Sequence, residues 1–451
     1  MFAETEEKVR KTAVRMLIVG CLLPAAAGGE NRSLTMSEVV ATALEKNHLL
    51  LAARQEKLAV DAGVDAGRAR YLPRLSLEEG AAYTNSPTRA FMMRLDQGRF
   101  TLAGDLNSPD NSGDFRTSLV MEQPLFDLRI SDGLSMAKSE QKRAAAMQEQ
   151  RRDDVALRAV NAYLELQKAN AQLQVAKDAL GDAREHQRLA AARGAAGVGL
   201  RSDELRARTF VSEMEQQLIA ADNGREVASL RLAQAVGLDA GERVEIKGEF
   251  RSPGQVGNRA EMVARGMAAR PALRGMAEGV EGAGIALQAA EHAWLPTLHA
   301  MASYQMNDRD IPFGRDNDSW LVGANLRWEL YDGGLRSSGK ERAAALQEAA
   351  REQLREQRSE TALQITESYL RREELGKRLE VARHMVLEAE EGVRLIRKRY
   401  ENSISLLVEL LDAQTALNRA RTELATLEAD YAAAWARLQH AAGTLVKEIA
   451  Q

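Results

Sequence analysis

The chain has 451 residues, a net charge of −4, and 28% charged against only 4% aromatic residues. That balance excludes a nucleic-acid binder, which carries a basic stripe interleaved with aromatics. It suits long helices with narrow apolar seams better than one compact core. No run of 18 or more apolar residues occurs, so no membrane-spanning helix is expected.

In chain order, residues 1–27 read as an export signal. Lys8, Arg10, Lys11 and Arg15 precede the apolar stretch Met16–Leu23, and Ala25-Ala26-Ala27 offers a small-residue cleavage site. Glu4, Glu6 and Glu7 are unusual in such a segment and raise the alternative of a misplaced start. Cys21, the single cysteine, sits in Ile18-Val19-Gly20-Cys21, which has the form of a lipoprotein processing box. Only five residues separate it from Arg15, so cleavage after Ala27 is the favoured reading, leaving a mature chain without cysteine.

The remainder is a duplication, with units at 28–250 and 251–451. Residues 39–77 correspond to 262–300 at an offset of 223: Lys46-Asn47-His48 falls on Ala269-Arg270-Pro271, and Tyr71-Leu72-Pro73 on Trp294-Leu295-Pro296. Further on the offset drops to 206, where Ala162-Tyr163-Leu164 matches Ser368-Tyr369-Leu370 and Gly237 matches Gly443. The difference places a longer loop in the first unit. Each unit reads helix, two strands, long helix, helix. Heptad seams run from Val155 through Leu166, Leu173 and Leu180 to Ala183, and from Leu406 through Leu417 and Leu427 to Leu438. The uninterrupted helical stretches near 131–193 and 335–399 would each be about 95 Å long. Helices of this kind alone would fit a soluble periplasmic coiled-coil scaffold, and that reading stands as the alternative.

Four short segments alternate instead with period two: 74–85, 115–125, 297–306 and 319–330. Each has about the 9–11 residues of a tilted membrane strand, with Tyr83, Trp320 and Trp328 as interface aromatics. Four strands cannot close a barrel, and lipid tolerates no open edge, so membrane strands here require several copies; three would give twelve. Residues 86–114 and 307–318, rich in Asn, Asp, Ser, Gly and Pro, are then outward-facing loops.

From about Leu34 to Val446 the chain resembles the TolC family of outer-membrane efflux channels. The resemblance is carried by the paired Leu-Pro strand entries and by Gln123-Pro124-Leu125-Phe126-Asp127 with its counterpart Glu329-Leu330-Tyr331-Asp332-Gly333-Gly334. Two helix tips complete it, Arg193 to Leu205 and Arg399-Tyr400-Glu401-Asn402-Ser403 to Leu411-Asp412-Ala413. It implies a mainly α protein with a small β part: a homotrimer whose twelve-helix α-barrel tunnel crosses the periplasm and joins a twelve-stranded β-barrel in the outer membrane, four strands per protomer. It also implies a periplasmic adaptor protein at the tunnel's far end and, through it, an inner-membrane pump. The partners so implied are protein and outer-membrane lipid, with no nucleic acid and no cofactor.

The resemblance assigns adaptor docking to Ala196, Gly197 and Val198 and to Asn402, Ser403 and Ile404, where the family usually places Val-Gly-Leu or Val-Gly-Thr. Glu409 and Asp412 fall on an acidic pair lining the pore entrance. Asp203 and Tyr400 match positions that bond across neighbouring coils to hold the tunnel shut, and Ser405 stands where the family carries the locking arginine, so closure requires another contact or a looser gate. The six histidines (48, 186, 292, 299, 384, 440) lack metal spacing, and Gly194-Ala195-Ala196-Gly197-Val198-Gly199 lacks the lysine and preceding strand of a phosphate loop. No nucleophile is paired with a base, so an envelope-bound hydrolase has no residues to carry it.

Overall fold

The computed structural model describes residues 32–101, 106–239, 242–252 and 256–449. The expected signal segment, with Cys21, lies outside the described residues. The chain opens with β1 (Arg32–Leu34), α1 (Met36–Lys46), α2 (His48–Ala69), β2 (Arg74–Thr84), α3 (Pro87–Asp96) and β3 (Ser112–Phe126). It continues with α4 (Leu128–Ala195), α5 (Arg201–Val236) and β4 (Val244–Ile246). The second half holds α6 (Arg259–Ala269), α7 (Pro271–His292), β5 (Thr297–Asp308), β6 (Asn317–Arg327), α8 (Leu335–Glu401), α9 (Leu407–Ala441) and α10 (Leu445–Ile449). The molecule is mainly helical with one four-stranded sheet.

Three features depart from the expected plan. The helix ahead of each strand pair is broken in two. Asn47 caps α2 by accepting from Leu49 N at 3.0 Å and donates to Ala235 O at 2.9 Å; at the matching point Pro271 occupies the first turn of α7, where its missing N–H costs nothing. A parallel pair, β1 with β4, ties the start of the first unit to its end. The stretch 86–114, expected as a loop, contains the ten-residue helix α3.

The repeat governs packing at the waist. Gly237, at φ +86°, ends α5, and a Cβ there would lie 2.6 Å from Lys46 O and 2.8 Å from Asn47 Cα. Gly443, at φ +67°, follows α9 and faces Arg270 Cα at 3.1 Å. Each glycine lets a long helix end against the joint between two short ones, a close approach in a left-handed conformation. Around these joints lies the largest core, with Tyr163, Leu164, Leu166, Leu232, Trp435 and Leu445 fully buried. The Tyr163 hydroxyl donates to Gly248 O at 3.0 Å, and Phe250 packs on Trp435 at 5.6 Å.

Below the waist α4 pairs with α5 and α8 with α9, and the expected seam residues Val155, Leu166, Leu173 and Leu180 are buried. In the second seam Leu406 is exposed: it is the residue before α9, and burial begins at Leu407 and Leu410. Helices α4 and α8, with 68 and 67 residues, are each about 100 Å long.

Above the waist the sheet runs β2-β3-β5-β6, antiparallel throughout. Opposed residues share a face, so Leu77, Leu119, Tyr304 and Trp320 form one apolar row and Leu75, Met121, Ala302 and Val322 the next. The other face is polar, with Gly80, Arg116, Asn307 and Asn317 as one row and Glu78, Ser118, Gln305 and Ser319 as another. Tyr83 and Trp320 stand exposed toward the end bearing α3. Trp328 lies just past the end of β6 rather than within it, and donates from Nε1 to Trp294 O at 3.1 Å. Trp320 and Trp328 are about 27 Å apart along the strand direction, or about 20 Å once tilted by the usual 35–45°, close to the height of an outer-membrane apolar band.

Candidate functional site at the helix tips

Each long helix pair ends in the same turn. At the first tip Val198 N donates to Arg193 O at 3.1 Å and Gly197 N to Gly194 O at 3.1 Å; at the second, Ile404 N donates to Arg399 O at 2.8 Å and Ser403 N to Tyr400 O at 3.0 Å. These bonds satisfy helix-end carbonyls through a residue in left-handed conformation. Gly197 takes it at φ +74° and Ser403 at φ +62°. A serine there stores about 1–2 kcal/mol that a glycine would not.

The two tips are joined by Arg193, a residue to which the resemblance assigns no role. Arg193, in the last turn of α4, donates from Nη1 to Tyr400 O and from Nη2 to Ser403 Oγ at 2.9 Å. Its guanidinium also lies 4.5 Å from the centre of the Tyr400 ring. Tyr400 is 3% exposed, packed with Ala190, Ala207, Leu407 and Leu410. Burial raises its hydroxyl pKa, Arg193 opposes that rise and the nearby Asp203 adds to it.

The remaining expected gate residue is placed differently. Ser405, in the turn just before α9, donates its hydroxyl to Glu409 in the first turn of that helix. Glu409 and Asp412 are exposed on the first turns of α9, three positions apart and therefore on one face. Ala196, Gly197, Asn402 and Ser403 form the turns themselves. Val198 and Ile404 stand out from them at 67% and 66% exposure. Leu200 and Leu406, two residues further on, are exposed equally, so the apolar crown extends beyond the docking residues that the resemblance implies. Their identical spacing from Gly197 and Ser403 is the signal that would have found them.

Above the crown, α4 and α9 meet through a buried polar layer. His186 Nε2 lies 3.4 Å from Gln414 Oε1, and Gln414 donates to Asp182 at 2.9 Å and to Asn418 at 3.1 Å. Burial pushes the His186 pKa down, with the Gln414 bond and Asp182 opposing. His440 pairs with Asp154 and His292 with Asp132, each at 2.9 Å, fastening α9 and α7 to α4. Among the described residues no three His, Cys, Asp or Glu side chains converge as metal ligands would.

This architecture, two coiled pairs under a four-stranded sheet, has a counterpart among families of known proteins. A family model described as outer membrane efflux protein matches residues 39–238 and again 265–444. The chain belongs to that family. As an outer membrane efflux protein its place is the outer membrane and its work is passage of material outward. Among curated relatives it is 24% identical to the alkaline protease secretion protein AprF of Pseudomonas aeruginosa, over 89% of this chain and 83% of AprF. It is likewise 24% identical to the proteases secretion protein PrtF of Dickeya chrysanthemi, over 97% of this chain and 93% of that one. Among solved structures the outer membrane protein VceC of Vibrio cholerae superposes with a TM-score of 0.74 at 18% identity, covering 91% of this chain and 96% of VceC. At that identity the likeness concerns the fold.

Proposed function

We propose that three copies of this chain form one passive exit duct of a tripartite efflux or type I secretion assembly. The observation that carries this reading is the sheet: four strands with an apolar face, a polar face and two unpaired edges, β2 and β6. In lipid those edges must be closed, and three copies joined edge to edge give twelve strands with the polar face inward. The helices beneath would then line a continuous tunnel. The exposed crown of Val198, Leu200, Ile404 and Leu406 is the surface for a periplasmic adaptor, and energy comes from an inner-membrane pump. The duct performs no chemistry of its own.

Arg193 supplies the closing contact in place of the arginine missing at Ser405. It ties the tip of one coil to the tip of the other within a protomer, and the Ser403 hydroxyl accepts one of its hydrogen bonds. Glu409 and Asp412 of three copies form an acidic ring at the entrance. A polypeptide cargo is the second reading, favoured by the names of AprF and PrtF. The test is reconstitution of detergent-purified protein in planar bilayers, together with its mass by sedimentation. A species about three times the 49.5 kDa chain that conducts ions supports the duct. A non-conducting monomer soluble without detergent supports the scaffold instead.

A further inference from the structure

The connection between β2 and β3 is fastened in a way an open loop is not. Gln97, the residue capping α3, donates from Nε2 to Asp114 Oδ1 at 3.0 Å and to Gly113 O at 2.8 Å. Asn307 donates to both Asp114 oxygens, at 3.0 and 2.9 Å. Asn317 donates to Asp96 O at 3.0 Å, and Arg116 lies 3.7 Å from both Asp96 and Asp114. Asp114 and Asn307 are 3% and 1% exposed. A buried carboxylate with this many donors is satisfied in one arrangement and costly in any other, so the network holds α3 in place.

The fastening also says which side α3 lies on. Asp114, Arg116, Asn307 and Asn317 belong to the polar face of the sheet, opposite the rows of Leu77 and Trp320. Ala90 and Met93 are buried beneath the helix, while Arg89, Met92 and Leu95 are exposed on its far side. If the polar face lines a bore, that far side points at the axis. Barrels of about eight strands are filled by side chains and those of 16–18 leave an aqueous channel. A twelve-stranded bore lies between them, and three helices each about 10–12 Å across would obstruct it.

We propose that α3 is a fixed collar inside the outer exit, where Met92 and Leu95 of three copies meet around the axis as an apolar constriction. The proposal rests on the trimeric duct reading. Such a constriction resists the entry of water and hydrophilic solutes from outside and yields to a cargo pushed from within. It is a selectivity element separate from the tips, at the opposite end of the molecule.

The test uses full-length protein in planar bilayers, with Arg193→Ala as the parent so that the tips do not limit current. The double substitution Met92→Ser and Leu95→Ser changes only exposed side chains. It should raise single-channel conductance at least two-fold and admit larger polyethylene glycols added on the outer side, with the cut-off on the tip side unchanged. Gln97→Ala, which loosens the fastening, should shift both readouts the same way. A parent that conducts normally while both variants match it in conductance and outer cut-off overturns the collar alone. A wild-type protein that sediments as a monomer soluble without detergent overturns the duct and the collar together.

Discussion

Arg193 and Ser403 explain one another. A serine in left-handed conformation is strained, yet its hydroxyl is where the guanidinium arrives. Ser403→Gly should relieve about 1 kcal/mol of strain while removing the acceptor, leaving thermal stability within about 1 kcal/mol of the parent and the channel open more often. Arg193→Ala loses the charge-assisted bonds and the ring contact, about 1–2 kcal/mol at this half-buried site, so the open fraction in bilayers should rise roughly ten-fold. Arg193→Lys, without the planar fork, should fall between them. If Arg193→Ala leaves the open fraction unchanged, the latch is wrong. The sequence places Arg193 at the head of the first tip but gives it no role, because it is one of many arginines and its main target is a backbone carbonyl, which has no letter. The repeat did mark it: Arg193 stands four residues before Gly197, as Arg399 stands before Ser403.

His186 is the second residue with a measurable signature. Its pKa is lowered by burial, so the folded coil prefers neutral imidazole. The unfolded chain takes up a proton near pH 6.5, which means this preference stabilises the fold above that pH and is lost as pH falls below it. Melting temperature should therefore drop between about pH 7 and pH 5, and the His186→Leu variant should show a shallower drop. An identical slope in the variant would assign the pH dependence elsewhere.

Elements were legible wherever a period ran long. The seam from Val155 to Ala183 and the alternation in β5 and β6 are patterns repeated many times over. Helix α3 was not legible because ten residues opening on Pro87 between turn formers carry no seam. What fixes α3 is Asp114 on the next strand, itself held by Asn307 from the second half of the chain. The joints at Gly237 and Gly443 make a sharper statement. Each matched a glycine in the repeat, but only the fold shows a backbone within 2.6 Å of where a Cβ would sit at Gly237. Gly237→Ala should cost about 2 kcal/mol or more, combining left-handed strain with that clash. Gly443→Ala, with 3.1 Å to its nearest atom, should cost less. Denaturant midpoints of the two variants give the order directly, and equal losses would mean that strain alone sets the cost.

At the scale of the whole molecule, the acidic pair gains meaning only by multiplication. One Glu409 and one Asp412 on an exposed helix face are ordinary; in the proposed trimer, six carboxylates around one entrance would concentrate cations. Replacing both by Ala should move the reversal potential in a salt gradient toward zero cation preference and reduce block by multivalent cations added on the tip side. An unchanged reversal potential would take these residues out of the pore mouth. The assembly itself could be argued from strand count, because an unpaired edge in lipid is a cost no side chain offsets. The proposed direction of the lumen had to wait for the register, since only paired rows show which face gathers Asn307, Arg116 and Asp114.

The two tip turns share one backbone course but differ in one chemical group, Gly197 against Ser403. In the proposed ring of three protomers these turns would alternate, so a visiting protein would meet six similar sites of two kinds. A partner that grips only the apolar crown could occupy all six. A partner that must compete with Arg193 for the serine hydroxyl finds three, and its stoichiometry would report which kind of contact it makes.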